Sequence, residues 1–123
     1  KWGRRLSGAV GMAVGSLGWF CIPLAHDPWA LAAVLCLVFF CNDLSMGPAW
    51  AACADIGEGY AGTLGGAMNM VGNLTGAGGN ILAGYLFDAG HANWLFVLDG
   101  CSFAVACLCW LAVDVTKGIG EKA

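Results

Sequence analysis

Five side chains in this sequence are suited to holding a small polar solute in apolar surroundings: Asn42, Asp43, Trp50, Asn69 and Asn73. An Asn amide donates and accepts at once, so a pair of them can meet hydroxyls and carboxylates together. An indole offers a flat apolar wall with one N–H at its rim. A carboxylate at mid-membrane depth costs about 2.5–3.5 kcal/mol on insertion scales unless it is solvated, paired or protonated. The plainer explanation is that these groups tie neighbouring helices together, at about 0.6 kcal/mol per interhelical hydrogen bond. The elements that carry them decide between the two.

Asn69 and Asn73 sit in the uncharged stretch 61–87, AGTLGGAMNMVGNLTGAGGNILAGYLF. Gly62, Gly66, Asn69, Asn73, Gly76, Asn80 and Ala83 follow one another in steps of four and three. At roughly 100° per residue they share one sector of a helix. Leu64, Met68, Val71, Leu82 and Leu86 lie opposite. A helix in water would bury its bulky apolar side and expose charge. Here the pattern suits a bilayer, with the greasy face toward lipid and the small, amide-bearing face toward protein or a watery cavity. Gly62, Gly66, Gly72 and Gly76 are accordingly predicted to be helix-packing positions.

Asn42, Asp43 and Trp50 belong to a second apolar stretch, 29–54. It opens with LAAVLCLVFFC, places Asn42 and Asp43 near its middle, and then carries Gly47-Pro48. Pro48 removes one backbone hydrogen bond and clashes with the preceding turn, which predicts a kink. Bent helices with polar groups at mid-depth are how many transporters expose binding groups. Two further uncharged or nearly uncharged stretches, 6–24 and 94–113, complete a set of four predicted spans, each sufficient for about 30 Å of hydrocarbon. The first has a glycine ladder, Gly8, Gly11, Gly15 and Gly18, that predicts close helix packing, and Trp19 and Phe20 are predicted interface anchors. The fourth carries Asp99 a turn or two inside.

Short polar links separate the spans. Residues 25–28 make the first, with Pro28 expected to begin the next helix. Residues 53–60 read as an acidic turn in which Asp55 caps or flanks the following helix. Residues 88–93 make the third. His26 and His91 fall in links, where solvated loop residues are expected. All five basic residues, Lys1, Arg4, Arg5, Lys117 and Lys122, lie at the two ends of the chain. With four spans the positive-inside rule then places both termini in the cytoplasm of an inner or plasma membrane.

Composition agrees and excludes other classes. Hydrophobic residues make up 59% of the chain and charged ones 11%, which is far from a soluble domain. A net charge of −3 without a basic cluster gives no footprint for nucleic acid. The seven cysteines show no CxxC pair and no matching histidine spacing, so neither a metal nor another cofactor is expected. No GxSxG, HExxH or phosphate-cradling loop appears, and no enzyme activity is expected. Lys1 in place of Met suggests part of a longer protein.

Several motifs together resemble a known family. WGRR before the first span is similar to the end of the basic loop that the major facilitator superfamily carries after its second and eighth helices. NDLSMGPAWAACADIG followed by YAGTLGGAMNMVGNLTGAGGNILAGYLFD resembles helices ten and eleven of its anion:cation symporter branch. That branch includes bacterial sugar-acid and hexuronate transporters and the vertebrate sialin and vesicular glutamate carriers. The resemblance covers essentially the whole chain and implies helices nine to twelve of a twelve-helix bundle. By the same resemblance, Trp50 and Asn69 match positions near the central substrate cavity. Asp43 stands where relatives often have a neutral polar side chain, a departure that would repel an anion, so that the carboxyl is protonated, or takes part in ion coupling, or the substrate is less anionic. The basic and acidic residues that grip substrate and couple protons belong to the family's other half.

The expected fold is thus an all-α membrane protein with four transmembrane helices, packed against missing helices one to eight. The expected function is secondary transport of a small organic anion with a coupling proton or sodium, through Asn42, Asp43, Trp50, Asn69 and Asn73. The alternative is a complete four-helix membrane protein acting as a dimeric exporter or structural subunit.

Overall fold

The computed structural model describes residues 2–113, and within them every regular element is helical. Helix α1 is Trp2–Cys21, α2 is Pro28–Gly57, α3 is Ala61–Asp88 and α4 is Ala92–Ala112. Three helical stretches, Arg5–Leu24, Pro28–Asp88 and Ala92–Ala112, are long and apolar enough to cross a membrane. The middle stretch contains both α2 and α3, joined by the single 3-10 turn Glu58–Tyr60. The predicted polar tail, with Lys117, Glu121 and Lys122, lies outside the described residues, as does Lys1.

Several boundaries differ from the sequence expectation. Helix α1 starts four residues before the predicted span, with Arg4 and Arg5 in its first turn, and a 3-10 turn, Ile22–Leu24, follows it. Pro28 does begin α2, and the Asp27 carboxylate accepts from the Ala30 N–H at 3.0 Å, an N-cap that satisfies one orphan donor. Helical geometry then persists through Pro48 to Gly57. Asp55 is therefore in the last turn of α2 and does not cap α3, whose N-cap position is Tyr60 without a side-chain bond. The residues 53–57 contain nothing that breaks a helix before Gly57, so α2 simply continues.

Helix α1 is the spine. Its glycines alternate between two neighbours. A Cβ on Gly8 or Gly15 would fall 2.5 or 2.7 Å from the rings of Trp110 and Phe103 in α4. One on Gly11 or Gly18 would fall 2.6 Å from Ser45 Oγ or 2.5 Å from Val38 Cγ2 in α2. Hydrogen bonds lock these close approaches. The buried Ser16 hydroxyl donates to the Gly100 carbonyl at 2.7 Å, and the buried Ser45 hydroxyl donates to Cys41 O at 3.1 Å and reaches toward Gly8 O at 3.5 Å. The predicted ladder thus does pack helices. Trp19 and Phe20 act differently from expectation. Trp19 lies between Phe96 and Phe103 of α4, both ring centroids 6.2 Å away, and Phe20 covers Gly100. They are packing residues because the glycines beside them bring α4 close enough to receive the rings.

The apolar side chains are distributed inside out. Val38 is the largest fully buried one, while Trp29, Ile81 and Leu74 are 84%, 77% and 76% exposed. Water would not tolerate that surface, and lipid would. The chain has the build of a membrane protein. Trp29, Tyr85 and Trp94 gather at the bundle end that holds the links 25–27 and 89–91, as interfacial aromatics do.

The turn between α2 and α3 is strained. Glu58 has φ 43° and ψ −115°, a region in which a side chain costs about 1–3 kcal/mol. Glu58→Gly is expected to remove most of that cost and to raise the melting temperature of the protein in nanodiscs. A fall would show that the Glu58 side chain repays its strain.

Candidate functional site

All five candidate residues sit on α2 and α3, and the way these two helices meet fixes the site. Next to the turn they run antiparallel in contact. The Trp50 ring covers Gly65, where an added Cβ would meet it at 2.8 Å, and the Cys53 thiol lies 3.5 Å from the Met68 sulfur. Beyond Met68 the helices part. Every residue of α3 from 69 to 82 is exposed, so nearly four turns of helix are largely uncovered, with α4 across an open groove on one flank.

Helical angles order the faces. On α2, Ala52 is buried beside α3 and α4, and Val38, Cys41 and Ser45 are buried on the α1 side. Asp43 and Trp50, seven residues apart, share a stripe nearly opposite to it. Asp43 is exposed, Trp50 is 48% exposed, and Asn42 is half-buried on the flank between. On α3, Leu64, Gly65 and Met68 turn toward α2, and Gly62, Gly66, Asn69 and Asn73 lie roughly 100° round from them, facing away from the bundle. Trp50 touches α3 at Gly65, on the edge nearest the amides. The outer surface of the pair is therefore continuous: Asp43 and Trp50 on one helix, Asn69 and Asn73 on the other.

The structure brings Trp50 onto α3 but pairs none of the polar groups. Asn42, Asp43, Asn69 and Asn73 make no side-chain hydrogen bonds among the described residues. They do not tie the helices of this chain together. Likewise Gly62, Gly66, Gly72 and Gly76 have open space where a Cβ would be, so any helix packed on them is not one of these four. The greasy face of α3 also departs from expectation near the turn. Leu64 and Met68 line an apolar cavity of about 440 Å³ with Ile56, Ala106 and Trp110. The hairpin forces that side inward, whatever its polarity.

No group of three or more His, Cys, Asp or Glu side chains able to hold a metal occurs among the described residues. Set against known proteins, the chain matches no family model, no curated sequence and no solved structure.

Proposed function

We propose that this chain is the closing four-helix part of a secondary transporter of the major facilitator type, which moves a small organic anion of the sugar-acid or hexuronate class by alternating access. One observation carries the proposal: the amide-and-glycine face of α3 and the Asp43–Trp50 stripe of α2 are both open, unpaired and directed away from α1. Placing an unpartnered amide in hydrocarbon costs about 4–8 kcal/mol on a cyclohexane scale, so lipid is the wrong neighbour for that face. Further helices of the same protein, with a watery cavity between, are the neighbour the resemblance implies. In this arrangement Asn69, Asn73 and Asn42 would bond the solute, Trp50 would wall it, and Asp43 would serve a coupling proton or sodium. Positive-inside counting puts both ends of the segment in the cytoplasm. Gly8 against Trp110 supports the pairing of the ends, since it places the two termini of the described bundle together.

Uptake of candidate sugar acids by the full-length protein tests this, with Asn69→Ala and Asp43→Asn beside wild type. A drop of tenfold or more is expected for Asn69→Ala and a loss of concentrative uptake for Asp43→Asn. Wild-type transport in both would remove these residues from the site.

The open glycines favour one second reading, a small four-helix protein that dimerises through α3, since small-xxx-small faces pack on themselves. A start codon just before Lys1 in the surrounding gene would favour it, and eight upstream spans would favour the transporter.

A further inference from the structure

One carboxylate inside the spans has no counter-charge, and the transport site proposed above does not use it. Asp99 stands seven residues into α4, about 10 Å from the start of that helix and about 20 Å from its end at 1.5 Å per residue. That depth is well within the ~30 Å of hydrocarbon. Asp99 is half-buried and makes no hydrogen bond or ion pair with any described residue. Every Lys and Arg of the sequence lies within residues 1–5 or 117–122, at the other end of the bundle. His91, at the N-cap position of α4, is about 12 Å up the helix.

The α1 side of α4 is closed at this level. Gly100 takes the Phe20 ring, its carbonyl accepts the Ser16 hydroxyl at 2.7 Å, and Trp19 lies against Phe96 and Phe103. The α3 side is open. A groove of about 610 Å³ separates the two helices there, and Asp99 lines it with Thr75, Asn80, Ser102, Leu95 and Leu98 among others. None of these neighbours carries a charge to balance the carboxylate. On the α3 wall, Gly76 and Gly79 have open space where a Cβ would stand, so the backbone of a further helix has room to approach.

We infer that a transmembrane helix outside these four lies over the α3–α4 groove and places a Lys or Arg side chain against Asp99. The inference rests on the reading that this bundle packs against further helices of the same protein. Charge selects the occupant. A lipid chain or a wholly apolar helix would leave the carboxylate facing hydrocarbon, whereas a cation compensates it. A long basic side chain also suits the lining, its methylene stem along Leu95 and Leu98 and its head at Asp99. Such a pair fixes the rotation and depth of the partner helix, because any other setting leaves two charges unmatched in the membrane.

The test is thermal melting of the full-length protein in nanodiscs. Asp99→Asn is expected to lower the melting temperature by about 5 °C or more, since it leaves the partner's charge unmatched. Each Lys or Arg within the other spans is then changed to Met on the Asp99→Asn background. One of these changes, destabilising by itself, is expected to restore most of the loss. Should Asp99→Asn yield no folded protein, recovery of a monodisperse peak by one double variant is the same result. Asp99→Asn melting at or above wild type would overturn the pairing, because neutralising an uncompensated carboxylate relieves the membrane of a charge. So would the absence of any restoring basic position. A full-length protein without further spans would sink both the pairing and the transporter reading. Further spans with no restoring position would sink the pairing alone.

Discussion

Gly11→Leu is expected to abolish the folded bundle, the largest effect of any single change in the described helices. A Cβ at Gly11 would stand 2.6 Å from Ser45 Oγ and 3.0 Å from the Cys41 carbonyl oxygen. The second of these is backbone in the middle of α2 and cannot rotate aside. Gly11→Ala alone asks α1 and α2 to separate by some tenths of an ångström, at a cost of about 1–3 kcal/mol for overpacking. Three further carbons of a leucine would lift α1 off α2, expose Val38, and break the bond from Ser45 toward Gly8. Because α1 also holds α4, through Ser16 and Gly100, the loss would propagate. The measurement is the fraction of full-length protein that elutes as a monodisperse peak, with melting temperature beside it. Expected values fall in the order wild type, Gly11→Ala, Gly11→Leu, and an unchanged Gly11→Leu would deny α1 its central place. Gly66→Leu gives the contrast. No described atom lies within 4 Å of a Cβ there, so the change is harmless to these four helices alone and damaging only if other helices cover α3.

Much of this packing was readable in the sequence, and the reasons are local. Charges other than Asp43 and Asp99 lie at the ends and in polar links, and they mark where spans must stop, since hydrocarbon rejects both. The four-and-three spacing of Gly8, Gly11, Gly15 and Gly18 has one physical use, close approach, and the structure uses it so. Pro28 and Asp27 announce a helix start because one lacks an N–H and the other accepts one. What was not readable was which neighbour each face meets. Periodicity distinguishes the two sides of α3 but carries no address for either. The pattern points Leu64 and Met68 toward lipid, yet the hairpin at Glu58 turns them onto the cavity beside α2 and α4. Trp19 and Phe20 stand near a span end, where interfacial anchors are expected, and only the close approach of α4, with Gly100 under the Phe20 ring, explains why they pack against that helix. Asp99 was visible as a carboxylate within a span. Its company of Asn80, Thr75 and Ser102 is a product of the α3–α4 fold-back, which no spacing along the chain encodes.

The amide stripe of α3 should react with water-borne reagents while the apolar positions Met70 and Leu74 beside it do not, and this second large effect decides what covers the helix. Take the full-length protein with its native cysteines, the seven of this chain among them, replaced by serine or alanine. Single cysteines are then placed at Asn69, Asn73, Met70 and Leu74, all exposed in the described bundle. A hydrophilic maleimide needs a thiolate, and a thiol in hydrocarbon is not ionised. If Asn69 and Asn73 line a solute cavity, cysteines there should label at least tenfold faster than those at Met70 and Leu74, and a bound substrate should slow them. Equal, slow rates at all four positions would mean that the stripe is dry. A tight dimer through α3 would give that result, and so would burial among helices without a cavity. Equal, fast rates would mean that residues 69–82 run through water on every side, as the open geometry of α3 alone allows. The ratio between the two pairs of positions is the informative quantity. Absolute rates vary with detergent and depth, but positions one residue apart on one helix share both and differ only in the face they present.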